Sequence, residues 1–435
     1  EIYIHPSNSS ILWIAFNRGV YKSTNAGTSW TRTMHGNVLD LKLKPGNPNI
    51  MYAVPPSRFF KSTNSGNSFT QVSEGLPQNS SRMVIDVTPA NTAYVYLLSV
   101  KNDQTFNGLY RSIDSGVSFS SRNTSTDVIE SEQAYYDLAL GASTTNAEEI
   151  FVGCLNVWKS TTGGSTFTKV NEWDEPKSNA YTHADIHTIR AFDDRIFVCS
   201  DGGIYATTDS GINFTDYTAG IQASQFYKIA ISKNDANKMV GGLQDNGGHA
   251  YNENGNWLNF YGADGMDTAI DNTDDNTYYG FVQNGRVLCI SNNSGNNLTN
   301  FVEQPPGSSG KWVTPLEVNS AGKVFAAYNK LYRLNDDESD WTELANLSGS
   351  ASAMKIAPSN DQIIYIAVNA ILKRSSNGGT SVSNVHNFGK SIKGIAIHHN
   401  DPDKIWVTTS SSVHYSENGG TTFNNITKNL PVTDN

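Results

Sequence analysis

Short apolar runs cut by polar, turn-rich segments fill this chain, and their alternation has the period of strands rather than helices. Within residues 39–72, LDLKLKP alternates apolar and polar side chains and Gly46-Asn47-Pro48-Asn49 makes a turn. Ile50 to Val54, Phe59 to Ser62 and Ser68 to Val72 then follow as three more strands. Equivalent turns recur at Asn234-Asp235, Asn360-Asp361 and Asn400-Asp401-Pro402. One octapeptide returns seven times: STNAGTSW from Ser23, STNSGNSF from Ser62, SIDSGVSF from Ser112, STTGGSTF from Ser160, TTDSGINF from Thr207, SSNGGTSV from Ser375 and SENGGTTF from Ser416. Each copy predicts a hairpin turn. The Ser or Thr hydroxyl and the Asp or Asn side chain can bond backbone N–H groups, Gly supplies a positive φ, and the closing aromatic starts the next strand.

The glycine of the motif sets the period. Gly27 to Gly66 is 39 residues, then 50 to Gly116, 48 to Gly164, 47 to Gly211, and Gly379 to Gly420 is 41. These steps match one four-stranded unit each. The 168 residues from Gly211 to Gly379 hold three eroded copies, ENGNWLNF ending at Phe260, SNNSGNNL from Ser291 and LNDDESDW ending at Trp341, which makes ten units. The first strand, Ile2 to Pro6, and the last, Thr422 to Ile426, leave both end units complete, so unit ten would pack on unit one without exchanging a strand.

The octapeptides resemble the Asp-boxes (S-x-D-x-G-x-T-W), or BNR repeats, of sialidases, some glycoside hydrolases and sortilin-type receptors. That resemblance implies an all-β fold, a single β-propeller of ten four-stranded blades, with the boxes on its outer edge and away from any active site. Residues 1–435 form one domain on this reading, with blades at about 1–36, 37–76, 77–126, 127–180, 181–222, 223–262, 263–305, 306–350, 351–388 and 389–435. The blade number is similar to that of the sortilin-type propeller, although the cysteine-rich module that follows it in those receptors is missing.

Composition adds exclusions. There are 36 Gly, 20 Tyr, 18 Phe and 8 Trp, 17% of residues are charged, and no apolar run approaches the roughly 18 residues a membrane span needs. A net charge of −10 disfavours nucleic acid and anionic membranes, and leaves neutral or cationic partners, a polysaccharide or a protein. The start at Glu1 without Met suggests a mature or excised form of a secreted or cell-surface protein with further domains. Cys154, Cys199 and Cys289 are odd in number and sparse, so they make no disulfide framework.

Polar residues break the repeat in one concentrated stretch, units five to seven: HADIH (His183 to His187), SDGGIY (Ser200 to Tyr205), GGLQDNGG (Gly241 to Gly248) and GADGMD (Gly262 to Asp267). On the repeat register, Asp201 and Gln244-Asp245-Asn246 fall in equivalent loops after the second strand of their units. Glycines there let backbone approach a ligand, and carboxylates beside amides suit sugar hydroxyls or a cation. The binding candidates are therefore His183, Asp185, His187, Asp201, Gln244, Asp245, Asn246 and Asp264. The same groups could equally cap strand ends and tie neighbouring blades.

HADIH read as a strand puts His183, Asp185 and His187 on one face. The outer Cα atoms would then be about 13 Å apart, so at most Asp185 and His187 could share a metal. No cofactor is singled out by the sequence. Calcium is the ion that the run from Asp271 to Asn276 would suit by composition, though it coincides with a turn of every other unit.

SDGGIYATTDSG is similar to the segment around a catalytic Asp in xyloglucanases of glycoside hydrolase family 74, which would map to Asp201. The longer run HADIH…SDGGIY…QFYKIAIS…GGLQDNG…ADG resembles large secreted Bacteroidetes proteins with BNR repeats, often exported by the type IX route. If the chain is an enzyme, these resemblances imply a glycoside hydrolase pairing Asp201 with Asp245 or Asp264, since that reaction needs two carboxyls about 5–10 Å apart. Sialidase is excluded by the missing F/Y-R-I-P motif. Arg111, Arg333 and Arg374 sit beside boxes, where the hairpins need them.

Overall fold

The computed structural model describes residues 1–221, 224–251 and 255–430. It contains ten four-stranded antiparallel sheets, each with its strands in chain order, as a ten-bladed propeller requires. Two compact units carry five sheets each. The first, Glu1–Ile221, holds sheets one to five at 2–35, 40–72, 82–123, 139–169 and 186–216. The second, Gln222–Asn435, holds sheets six to ten at 226–261, 265–303, 316–346, 353–387 and 392–425. Among the described residues there is no α-helix, only single 3-10 turns at Pro89–Asn91 and Gln283–Gly285. No helix is long and apolar enough to cross a membrane.

The octapeptides build the turns between third and fourth strands, and the hydrogen bonds explain the residue types. In the third sheet, the Ser112 hydroxyl donates to Asp114 Oδ1 at 2.6 Å and accepts the Gly116 N–H at 2.8 Å. The Asp114 carboxylate accepts the Val117 and Ser118 N–H groups at 2.9 and 3.0 Å. The same hydroxyl-to-glycine bond recurs at Ser23, Ser62, Ser160, Thr207, Ser375 and Ser416. Ser291 makes it too, so the eroded copy there keeps the full turn. The copy ending at Trp341 has no such serine and closes through Asn335 and Glu338 backbone bonds instead. In the copy ending at Phe260, Glu253 and Asn254 lie outside the described residues.

Two successive left-handed residues bend each turn, for example Ser115 (φ 61°) and Gly116 (φ 74°). The glycine is also a packing requirement. A Cβ on Gly164 would lie 1.8 Å from Leu109 Cδ2 of the preceding sheet, and one on Gly66 would lie 2.8 Å from Trp13 Nε1. Turns therefore dock against the sheet before them. Trp13 Nε1 donates to Ser65 O at 2.9 Å and Tyr52 OH to Ser115 O at 3.2 Å, both in the octapeptide turn of the next sheet, while Tyr96 OH donates at 2.6 Å to Ala147 O in the turn between the first two strands of the fourth sheet.

Apolar clusters fill the spaces between successive sheets within each unit, such as Tyr52, Val54, Phe59, Met83 and Leu97 between the second and third. First strands are tied by acids, buried at Asp40 and Asp86 and half-buried at Asp267. Asp40 accepts the Ile85 N–H at 2.8 Å and Asp86 the Ala142 N–H at 2.8 Å, and in the second unit Asp267 accepts the Leu316 N–H at 3.2 Å. Each carboxylate spans two neighbouring sheets. Desolvation pushes the Asp86 carboxyl up to about 6 against the pull of Lys42, and raises Asp267 as well.

HADIH departs from expectation. The strand is Ile186–Phe192, so His183, Ala184 and Asp185 precede it. Asp185 has φ 63°, and a bulge interrupts pairing between Ile186 and Thr188. The alternation that would align the three side chains on one strand face does not exist, because a left-handed residue followed by a bulge breaks the period of two. The cysteines are free, with Cys154 and Cys289 buried. The Asp271–Asn276 run is a turn held by its own side chains: Asp271 Oδ1 accepts the Thr273 N–H and hydroxyl at 2.6 and 2.7 Å, and Asp274 Oδ1 accepts the Asn276 N–H at 3.1 Å.

Candidate functional site

Asp201 follows the strand Arg195–Ser200, and Gln244, Asp245 and Asn246 follow Met239–Leu243, so both loops succeed the second strand of their sheets. Asp201 belongs to the first unit with His183, Asp185 and His187. Gln244, Asp245, Asn246 and Asp264 belong to the second.

In the first unit, His187 Nε2 and Asp201 Oδ1 are 2.5 Å apart, and the Tyr136 hydroxyl donates to Asp201 Oδ2 at 3.3 Å. The Tyr136 and His187 rings meet edge to face with centroids 4.7 Å apart. The glycines after Asp201 are there for space. A Cβ on Gly202 would sit 2.1 Å from His183 Cγ, and one on Gly203 1.8 Å from Thr218 Oγ1. His183 thus lies against the loop rather than along a strand. Beneath Asp201, the Gln133 side-chain amide donates to Asp185 Oδ1 and, at 3.2 Å, to Asp137 Oδ2. Burial raises both carboxyls, Asp137 to about 6 with the Asp185 charge adding to it, and Asp185 is raised further by Asp201. A carboxylate hydrogen-bonded to imidazole and phenol can accept further hydrogen bonds from sugar hydroxyls.

Tyr136, Gln133 and Asp137 were not among the candidates from sequence. They come from the connection between Asn123 and Ala139, whose length and tandem Tyr135-Tyr136 are the only local signals. Tyr135 is 70% and Tyr136 49% exposed, which is unusual for paired aromatics.

In the second unit, Asp264 Oδ1 accepts the Asp245 N–H at 2.9 Å, holding that residue at φ 59°. Asn246 Nδ2 donates to Gln244 O at 3.1 Å, and Asn259 Nδ2 to Asn246 O at 3.0 Å. The glycines again make room: a Cβ on Gly248 would lie 1.7 Å from Tyr261, and one on Gly265 2.0 Å from Gly247 O. Asp264 and Asp245 are therefore brought together, with Asp264 fixing the loop that presents Asp245. Gln244 is exposed, and its Oε1 accepts a hydrogen bond from Tyr227 OH.

The first strands of the second unit also enclose a cavity of about 530 Å³, lined by Lys228, Asp267, Glu317, Lys355 and Lys393 among others. Glu317 pairs with Lys355, and burial, opposed by that lysine, pushes its carboxyl up to about 7. Apart from Asp267, which closes the GADGMD stretch, nothing in the sequence marked these residues, because single charges on first strands have no local signature.

No protein-family model matches the chain, and no curated protein matches it in sequence. Solved structures do match in fold. The glycoside hydrolase family 74 enzyme of Niastella koreensis superposes with a TM-score of 0.63 at 17% identity, over 97% of this chain and 68% of that one. The family 74 xyloglucanase of Xanthomonas campestris gives 0.64 at 13% identity, over 97% and 70%. PorZ, a surface component of the type IX secretion system of Porphyromonas gingivalis, gives 0.50 at 10% identity, over 98% and 68%. The chain is similar to these β-propeller proteins in fold.

Proposed function

We propose that the chain is a secreted or surface-exposed recognition propeller of the Asp-box type that binds polysaccharide. Each of two loops, after the second strand of sheet five in the first unit and after that of sheet six in the second, is a contact surface in its own right. The observation that carries this reading is the Asp201 carboxylate, held between the His187 imidazole and the Tyr136 phenol in a glycine-lined loop. Groups so fixed lose little entropy when a hydroxyl-rich ligand replaces water. The glycine-flanked Gln244-Asp245-Asn246 loop offers amide and carboxylate in the equivalent position. Fold similarity to family 74 enzymes and to a secretion-system surface protein supports a glycan-related, extracellular role. A protein ligand is the alternative partner that the same polar loops would suit.

One observation favours a second reading, glycoside hydrolysis: the Asp137 carboxyl, joined through Gln133 to Asp185, is raised to about 6, into the range of an acid catalyst. Retention on a panel of immobilised polysaccharides, with reducing-end release assayed on the same sample, separates the two. Retention without release, weakened in Asp201→Ala and Asp245→Ala, is the outcome expected of a binding protein. Release that disappears in either variant would replace it with the hydrolase reading, and neither retention nor release would end both.

A further inference from the structure

The cavity of the second unit lies outside the candidate loops and is built by five first strands. Lys228, Asp267, Glu317, Lys355 and Lys393 come one from each of Phe226–Ile231, Gly265–Ile270, Leu316–Val318, Ala353–Ala357 and Ile392–His398, so every sheet of the unit delivers a charged side chain to the same 530 Å³ of space. Two of the lysines are uncommitted: Lys228 and Lys393 are exposed and make no ion pair among the described residues. The acids are already engaged. Asp267 accepts the Leu316 and Thr268 N–H groups at 3.2 and 3.1 Å, and Glu317 pairs with Lys355. Lys233 and Asp361 complete the charged lining, and Asp361 accepts the Ser320 N–H at 3.2 Å and its hydroxyl at 2.6 Å.

Lysines thus outnumber acids four to three around this cavity, on a chain whose net charge is −10. A local excess of cation that the fold leaves unpaired attracts an anion. We propose that the second-unit cavity binds a phosphate group, free or as a monoester, between Lys228, Lys355 and Lys393. Every cation in the lining is a lysine. The planar fork of arginine matches a carboxylate, whereas the compact ammonium is a point charge that suits a tetrahedral oxyanion. A phosphate monoester carries close to two negative charges at neutral pH, which two uncommitted lysines match, and the volume leaves room for the group that bears it. The site is independent of the polysaccharide-binding loops, which use none of these residues.

Glu317 gives the site its pH dependence. Burial, opposed by Lys355, pushes its carboxyl up to about 7. Below that pH it is protonated, frees Lys355 for the anion and presents an O–H donor in place of a repelling charge. The charged groups facing it are Lys355, Asp267 and Lys228, and Asp267, also raised by burial, gains its proton in the same direction. Anion affinity therefore rises as pH falls through about 7, whereas the loss of phosphate's own second charge would lower it.

Calorimetric titration of the full chain with inorganic phosphate, and with sulfate, whose charge does not change over this range, tests the site. Both should bind, sulfate about fivefold tighter at pH 6 than at pH 8. Glu317→Gln should remove that difference by binding at pH 8 as the parent does at pH 6. Lys228→Gln and Lys393→Gln should each weaken both anions about fivefold while melting with the parent. Lys101→Gln, at an exposed lysine of the first unit, should change nothing. Glycerol 3-phosphate and phosphatidylcholine vesicles carrying phosphatidic acid separate a free ester from a lipid headgroup, and binding of either that depends on Lys228 supports the site. No binding of phosphate or sulfate up to about 20 mM overturns it, as do unchanged affinity in both lysine variants, an equal loss in Lys101→Gln, or tighter sulfate binding at pH 8.

Discussion

Single side chains in this protein divide between those that hold turns and those that face outward with chemistry. Asp114 exemplifies the first kind. Burial opposes its ionisation, but hydrogen bonds from Ser112 and Ser118 outweigh that and hold its carboxyl well below the usual carboxylate range. Asp114→Ala removes several of these bonds and should destabilise the fold by about 1–2 kcal/mol, as measured by chemical denaturation. This role was legible in the sequence because hydroxyl, carboxamide or carboxylate, and glycine recur at fixed offsets. The contacts of Tyr136 and Trp312 were not. Each meets a partner far away in the chain, Asp201 for the tyrosine and Tyr227 for the tryptophan, and no local pattern encodes such a meeting. HADIH misled for a related reason, since period-two reasoning assumes extended backbone and Asp185 is left-handed.

Sheets and their turns set the next scale, where the glycine positions and the first-strand acids are the devices to probe. Gly164→Ala places a Cβ at φ 84° and 1.8 Å from Leu109 Cδ2, so both strain and overpacking apply and a loss of at least about 2 kcal/mol is expected. Gly46 also has positive φ, 73°, but open space around it, and Gly46→Ala should cost only about 1 kcal/mol. Equal losses in the two variants would show that docking of the turn on the preceding sheet contributes nothing.

The first-strand acids make stability depend on pH with a definite sign. Asp86 at about 6 and Glu317 at about 7, together with Asp137 at about 6 in the candidate site, bind protons more tightly folded than unfolded. Their contribution is complete below pH about 4 and is lost as pH rises through about 6 to 7. Melting temperature should fall across that window, and Glu317→Gln should flatten its upper end. A melting temperature that rises steadily from pH 4 to 7 would contradict these assignments. The strands themselves were legible from apolar alternation, whereas these acids looked like ordinary polar positions until neighbouring first strands came together.

For the whole molecule, the repeat was the most readable property, since ten periods in the sequence became ten four-stranded antiparallel sheets. The division into two compact units between 221 and 222 had no counterpart in composition, because no linker of distinct character marks it. With a net charge of −10, retention on a neutral polysaccharide should be nearly independent of salt from roughly 0.05 to 0.5 M, where Debye screening changes several-fold. Strong salt dependence would indicate a charged ligand instead. If the octapeptides keep the fold while the loops after the second strands bind glycan, melting and polysaccharide affinity separate in two variants. Asp114→Ala should melt lower with unchanged affinity, while Asp201→Ala should lose affinity and melt within about 3 °C of the parent. Affinity lost in Asp114→Ala and kept in Asp201→Ala would reverse that division of roles.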